Sequence, residues 1–244
     1  RSSSSSGGSS KAAAAAASQQ QQTAGGPSLQ AKQAQFNNRL ESGVHTVLEY
    51  EDATRQACAF SVIPTERLEA EAKALVASSA AHPGAAGSTA ISHQDARLLR
   101  LLSWFKHEFF TWCNNPKCDA CGCEDTKCEG MAPPTDEDRL HGASRVESYR
   151  CPRCPAVTRF PRYNDPVKLL ETRAGRCGEW ANAFTLCCRA LGYEARWVMD
   201  WTDHVWTEVW SASQSRWLHC DPCEDTCDKP LLYEQGWGKK LSYV

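Results

Sequence analysis

Ala174-Gly-Arg-Cys177-Gly-Glu-Trp-Ala-Asn-Ala-Phe-Thr-Leu186 sets a glycine-flanked thiol at the opening of an amphipathic helix. Ala181, Phe184, Cys188 and Leu191 recur at three- and four-residue steps, and Gly192 can supply a left-handed stop. A helix start offers backbone N–H groups that no intrahelical carbonyl reaches, together with the positive end of a dipole, and both favour an anionic sulfur or oxygen. Arg176 adds a second positive neighbour. Position and surroundings mark Cys177 as a candidate nucleophile.

Downstream, Thr202-Asp-His204-Val-Trp-Thr-Glu208-Val-Trp210, a polar Ser-Ala-Ser-Gln-Ser stretch and Arg216-Trp-Leu-His-Cys-Asp221 read as strand, turn, strand. Pairing Trp210 with Ser215 around a four-residue loop, Ser211 to Gln214, predicts Trp206 opposite His219 and His204 opposite Asp221. The other face then carries Val205, Thr207 and Val209 against Leu218 and Cys220, a plausible core surface. Cys177, His204 and Asp221 thus have the chemistry of nucleophile, proton shuttle and orienting carboxylate.

Cys118-Asp-Ala-Cys121-Gly and Cys151-Pro-Arg-Cys154-Pro are two C-x-x-C knuckles separated by a polar, Pro- and charge-rich loop. Four thiolates in a tetrahedron make a closed structural zinc site with no position left for chemistry. Cys113, Cys123 and Cys128 lie close enough in sequence to substitute in the first knuckle, although Gly122 suits the tight turn after Cys121. Cys220-Asp-Pro-Cys223 with Cys227 has metal-like spacing too, but Asp221 is better used on His204; these cysteines, like Cys187 and Cys188, read as small buried apolar groups.

Phe160-Pro-Arg-Tyr-Asn-Asp-Pro166, Leu169-Leu-Glu-Thr-Arg173, Gly175-Arg-Cys-Gly-Glu-Trp-Ala-Asn182, Asp203-His-Val-Trp-Thr-Glu-Val209 and His219-Cys-Asp-Pro-Cys-Glu-Asp225 together resemble the cytosolic peptide:N-glycanase family, within the transglutaminase-like thiol hydrolases. Leu101-Leu-Ser-Trp-Phe-Lys-His-Glu-Phe-Phe-Thr-Trp112 and the paired cysteines fit the same family more loosely, and Ala174 and Ala183 stand where relatives commonly have cysteines. The resemblance implies an α+β fold: a papain/transglutaminase-like core of helices packed on an antiparallel sheet, with an inserted four-cysteine zinc subdomain. It implies an amidase that cleaves the glycosylamine–asparagine bond of misfolded N-glycoproteins through a Cys177 thioester, releasing the intact glycan and leaving aspartate. It also places the single structural Zn2+ on Cys118, Cys121, Cys151 and Cys154. A noncatalytic scaffold linking misfolded glycoproteins to the proteasome, or another thiol acyl-transferase, are the alternatives.

Sugar recognition needs aromatic faces and polar groups beside the thiol. Glu208 shares a strand face with His204 and could accept from sugar hydroxyls; otherwise it is a solvated strand carboxylate. Trp237, after Glu234-Gln-Gly, could be a stacking platform or core. By similarity to transglutaminase-like sites, Trp112 could wall the site or donate its indole N–H to an oxyanion. Denatured N-glycoproteins are the expected partners, joined through the resemblance by proteasome shuttle factors and the segregating AAA ATPase, in the cytoplasm with a nuclear pool besides.

Residues 1 to about 35, with serine, alanine and glutamine runs, read as a disordered tail. Residues 36–92 read as helices and linker, 93–112 as a core helix with Leu98, Leu101, Leu102, Phe105 and Phe109 in its apolar stripe, 113–159 as the zinc-binding part, and 160–244 as the catalytic region, truncated at its C-terminus. A net charge of -2 and the lack of a dense Lys/Arg run argue against nucleic acid. No apolar run approaches the length of a membrane span. Fourteen cysteines would suit a disulfide scaffold, but 41% hydrophobic content in 244 residues is enough for a core, and zinc knuckles with a needed thiol point to a reducing compartment.

Overall fold

The computed structural model describes Gly26 and residues 28–81 and 91–242; the serine, alanine and glutamine runs of the tail lie outside the described residues. The chain divides into two units, Arg1–Glu41 and Ser42–Val244. Helix α1 spans Leu29–Glu49, so the chain is helical from Leu29, earlier than the boundary near 35 that composition suggests.

In the second unit, Val47 packs on the core while Val44 and Leu48 stay exposed. Helix α2 (Ala53–Val62) is capped by Asp52, whose side chain accepts from the Arg55 amide, and Pro64 separates it from α3 (Thr65–Ala81). Helix α4 (His93–Trp104) starts on the Ser92 cap and runs into a π-helical turn over Phe105–Phe109. Its stripe of Leu98, Leu101, Leu102, Phe105 and Phe109 is buried as expected. The helix does not reach Trp112. Thr111–Trp112 form strand β1, because Thr111 N–H finds the Arg173 carbonyl and Cys113 N–H the Gly175 carbonyl. Two residues of sheet pairing there outcompete further helical turns.

Strands β2 (Lys127–Ala132), β3 (Val146–Arg150) and β4 (Val157–Pro161) form an antiparallel sheet in that order, with helix α5 (Asp136–Leu140) started by a Thr135/Asp138 capping box. Strand β4 crosses the boundary expected at 159/160, so the cysteine-bearing part and the catalytic region share one strand. Helix α6 (Pro166–Thr172) has an Asp165 cap and proline in its first turn; Arg173, at φ 51°, ends it in the left-handed region. Strand β5 (Ala174–Gly175) then runs parallel to β1 and delivers the chain into helix α7 (Cys177–Ala190).

Strands β6 (Ala195–Asp200), β7 (His204–Ser211), β8 (Arg216–Asp221) and β9 (Thr226–Cys227) make a four-stranded antiparallel sheet. Thr207, Val209, Leu218 and Cys220 are buried on one face, and the Thr207 hydroxyl meets that of Thr185 on α7 at 2.9 Å. The faces are as the sequence predicts, but the register is not. Ser211 pairs with Arg216, Trp210 with Trp217 and Glu208 with His219, so the loop is Ala212–Ser215. The Trp210–Trp217 cross-strand pair, with ring centroids 5.7 Å apart, extends the ladder past the predicted turn, and Ser211 and Ser213 bind the buried Asp95. A slip of two residues preserves facing because side chains alternate with period two. His204 and Asp221 therefore stay on one face, as diagonal neighbours instead of directly opposed residues.

Candidate active site

Helix α7 holds Cys177 as its first residue, where the first-turn amides have no carbonyl four residues back. Gly175 is required just before it: a Cβ there would lie 2.4 Å from the Cβ of Glu179. That close approach lets Glu179 accept from the Arg176 amide at 2.9 Å, capping the helix from within.

The structure brings Cys177, His204 and Asp221 together. His204 Nε2 lies 2.8 Å from Asp221 Oδ2, and Cys177 is near enough to His204 to raise its pKa. With Nε2 engaged by the carboxylate, Nδ1 is the nitrogen left for the thiol. Burial alone would depress the His204 pKa, but the bond to Asp221 and the influence of Cys177 outweigh it and push the value up to about 9. Asp221 is fully buried; burial opposes its charge, while His204, Tyr233 and the Cys223 amide hold its carboxyl below the usual carboxylate range. A nucleophilic sulfur, a proton-carrying imidazole and an ionised orienting carboxylate suffice for acyl transfer.

The three residues nominated for substrate contact are placed differently. Trp237 packs its ring 4.9 Å from that of His204 while remaining 43% exposed, which suits a platform at the mouth of the site. Glu208 shares the face of His204, but its carboxylate is engaged by Arg196, whose guanidinium lies 4.2 Å above the Trp217 ring. Trp112 is exposed and donates its indole N–H to Asn114 Oδ1 at 2.9 Å. It borders a cavity of 660 Å³ with Lys117, Arg159, Phe160, Tyr163 and Arg173.

Cys118, Cys121, Cys151 and Cys154 converge, their four Sγ atoms within 4.8 Å of one another. Such a group can hold a metal ion. Among the described residues this is the one cluster of its kind, and Cys113, Cys123 and Cys128 are not in it. Cys123 is buried against the cluster.

Sequence reasoning misses the charged lattice that ties this part to the nucleophile. Glu147 on β3 accepts from Arg176 and Arg162, and Arg162 also grips both carboxylate oxygens of Glu179. Nothing in the spacing of residues 147, 162, 176 and 179 announces their meeting. Burial opposes the Glu147 charge, but bonds from Arg176, Tyr149 and Arg162 bring its pKa down to about 2, below the ordinary 4.5. Its contribution to stability is therefore fully present above about pH 4.5 and is lost as pH falls through about 2. Glu147→Gln should destabilise the fold by about 3 kcal/mol at neutral pH, because two arginines lose a nearly buried counter-charge. Urea denaturation should show that gap closing toward about pH 2, the folded pKa of Glu147.

Residues 128–222 match the model of the transglutaminase-like superfamily. The chain is 54% identical over 200 residues to the peptide-N(4)-(N-acetyl-beta-glucosaminyl)asparagine amidase of Gallus gallus, a match covering 82% of this chain and 30% of that protein. Identity to the Homo sapiens protein of the same name is 55% over 205 residues, 84% of this chain and 31% of the relative. For the Arabidopsis thaliana protein it is 53% over 210 residues, 86% and 28%. The chain thus spans about three tenths of the length of these curated relatives.

Proposed function

This chain belongs to the transglutaminase-like superfamily, and from that premise we propose that it is the catalytic part of an amidase acting on the glycosylated asparagine of denatured glycoproteins. The observation that carries the proposal is the convergence of Cys177 at a helix start with the hydrogen-bonded His204–Asp221 pair, in a chain 54% identical over 200 residues to an amidase of that name.

Cys177 sulfur attacks the side-chain carbonyl carbon of the glycosylated asparagine. The developing oxyanion is met by the open amides of the first turn of α7. His204 delivers its proton to the departing glycosylamine, leaving a thioester on Cys177. His204 then takes a proton from water, which adds to the thioester; collapse releases aspartate and restores the thiol. Asp221 keeps the imidazole oriented with Nε2–H on the carboxylate throughout. The bond broken is an amide, so no carboxylate pair flanking a glycosidic bond is needed. Trp237 offers an aromatic surface beside the imidazole on which the first sugar can rest, and the Glu208–Arg196–Trp217 group lies farther along the same sheet from His204.

The donor set of the cysteine tetrad fits zinc. Sγ pairs stand 3.5 and 3.6 Å apart, against edges of about 3.8 Å for a tetrahedron of zinc–thiolate bonds. Cys118, Cys121, Cys151 and Cys154 would hold it with no open position, so the ion would supply cross-linking and no chemistry. Required thiolates at both places suit a reducing compartment such as the cytoplasm.

The test is mass spectrometry of a denatured N-glycopeptide incubated with the chain in heavy-oxygen water under reducing conditions. The amidase reading expects intact glycan and a peptide whose asparagine has become aspartate carrying one heavy oxygen. Cleavage between sugars, or glycopeptide bound but unchanged by the folded, metal-loaded chain, would replace it with a glycosidase or a scaffold.

A further inference from the structure

Behind the triad lies a second polar chain that the proposed mechanism does not use. Tyr233, fully buried in the π-helical turn Leu232–Gly236, donates its hydroxyl proton to Asp221 Oδ2 at 2.8 Å, the same oxygen that receives His204 Nε2. His219 Nε2 lies 2.7 Å from the Tyr233 hydroxyl oxygen. Since the hydroxyl proton is committed to Asp221, His219 must be the donor, which fixes its proton on Nε2. Its Nδ1 is then a bare lone pair, and that atom is buried without a hydrogen-bond partner. Burial is also the leading reason the His219 pKa is lowered, outweighing the pull of Asp221 and Glu208.

The rings reinforce the arrangement. Tyr233 packs edge-on against His204 with centroids 4.6 Å apart and against Trp206 at 4.9 Å, and it carries Trp237 at 5.0 Å. One side chain thereby touches the imidazole, its carboxylate and the exposed tryptophan at the mouth.

We propose that Tyr233 and His219 are positioning residues of the active site: a His219→Tyr233→Asp221 hydrogen-bond relay that fixes Asp221 Oδ2 in the plane of the His204 imidazole. The proposal takes the Cys177–His204–Asp221 reading as its premise. A carboxylate oxygen with a single donor can swing about its χ2 torsion, whereas one with two donors and a second oxygen tied to the Cys223 amide at 2.8 Å cannot. The relay also moderates the carboxylate. The hydroxyl takes a share of the charge on Oδ2 that would otherwise bear on the imidazolium alone, so the imidazole releases its proton more readily.

The experiment uses the full chain and begins with no mutation. Nitrogen NMR of histidine-labelled protein should show His219 neutral at pH 7 with a protonated Nε2 and an unprotonated Nδ1; the opposite tautomer, or a doubly protonated ring, overturns the relay. In Tyr233→Phe, which keeps the ring contacts, the His204 titration midpoint should move up by several tenths of a pH unit. kcat on a denatured glycopeptide should fall about tenfold with KM changed less than twofold, and the kcat profile should shift to higher pH. His219→Gln, able to donate from Nε2, should retain near wild-type kcat, while His219→Leu should behave as Tyr233→Phe. An unmoved His204 midpoint in Tyr233→Phe, or equal losses in the two His219 variants, would overturn the proposal. If the wild-type chain releases no glycan, the amidase reading fails by itself, and the tautomer and titration of the resting protein still decide the relay.

Discussion

Cys177→Ala should abolish glycan release, lowering kcat on a denatured glycopeptide by a factor on the order of ten thousand or more while leaving the affinity for that glycopeptide within about twofold. The asymmetry follows from where the thiol sits. Cys177 is the first residue of α7, and helix, sheet and charged lattice are all anchored by other residues: Glu179 on Arg162, Thr185 on Thr207, Trp180 on the Gly175 carbonyl. Removing one sulfur atom therefore deletes the nucleophile without removing any of those contacts. A second readout separates chemistry from collapse. Cys177 is one of the two groups that raise His204, so in the alanine variant the imidazole should titrate below about 9. Cys58, exposed on α2, gives the control: Cys58→Ala should keep wild-type turnover. Equal activity in wild type and Cys177→Ala, measured by release of intact glycan, would remove thioester chemistry from the account.

How much of this is legible in the sequence differs by residue. Cys177 stands out because a helix start has a local signature: glycines on either side, then apolar residues at helical spacing. His204 and Asp221 come from a period-two pattern, and their shared face survives a two-residue error in the hairpin register because only an odd slip exchanges faces. The turn itself is misplaced because Ser-Ala-Ser-Gln-Ser offers several equivalent loops, and the tertiary partner that selects among them, Asp95, comes from the start of α4. Trp112 reads as helical for a related reason. Its pairing strand is supplied by residues 174 and 175, far along the chain, and local periodicity cannot see it. The Glu147–Arg162–Glu179–Arg176 lattice and the Tyr233 relay are invisible for the same physical cause, since single polar residues from separate segments carry no spacing until the fold unites them.

Stripping the metal from the cysteine tetrad should unfold the β2–β4 sheet and extinguish activity, although no cysteine of the tetrad belongs to the triad. The small cluster around it consists of Cys118, Cys123 and Cys151 with Cys154 and Ala156 alongside, far too little apolar surface to replace four metal–sulfur bonds. A structural zinc ion contributes on the order of 10 kcal/mol to such a fold. The route from there to the nucleophile is traceable. Glu147 and Tyr149 sit on β3, Arg162 directly follows β4, and these residues grip Arg176 and Glu179 on either side of Cys177. If the sheet disorders, Arg176 and Arg162 lose Glu147, and the first turn of α7 loses the restraint that aims its amides. Native mass spectrometry should find one zinc ion per chain. After a strong chelator, or in Cys151→Ser, glycan release should fall by more than about a hundredfold, with loss of amide protection over residues 127–161. Helices α3 and α4, which pack on the other core cluster, should retain most of theirs. Full activity in metal-free protein would show that the lattice stands without its ion, and that β2–β4 do not set the geometry of Cys177.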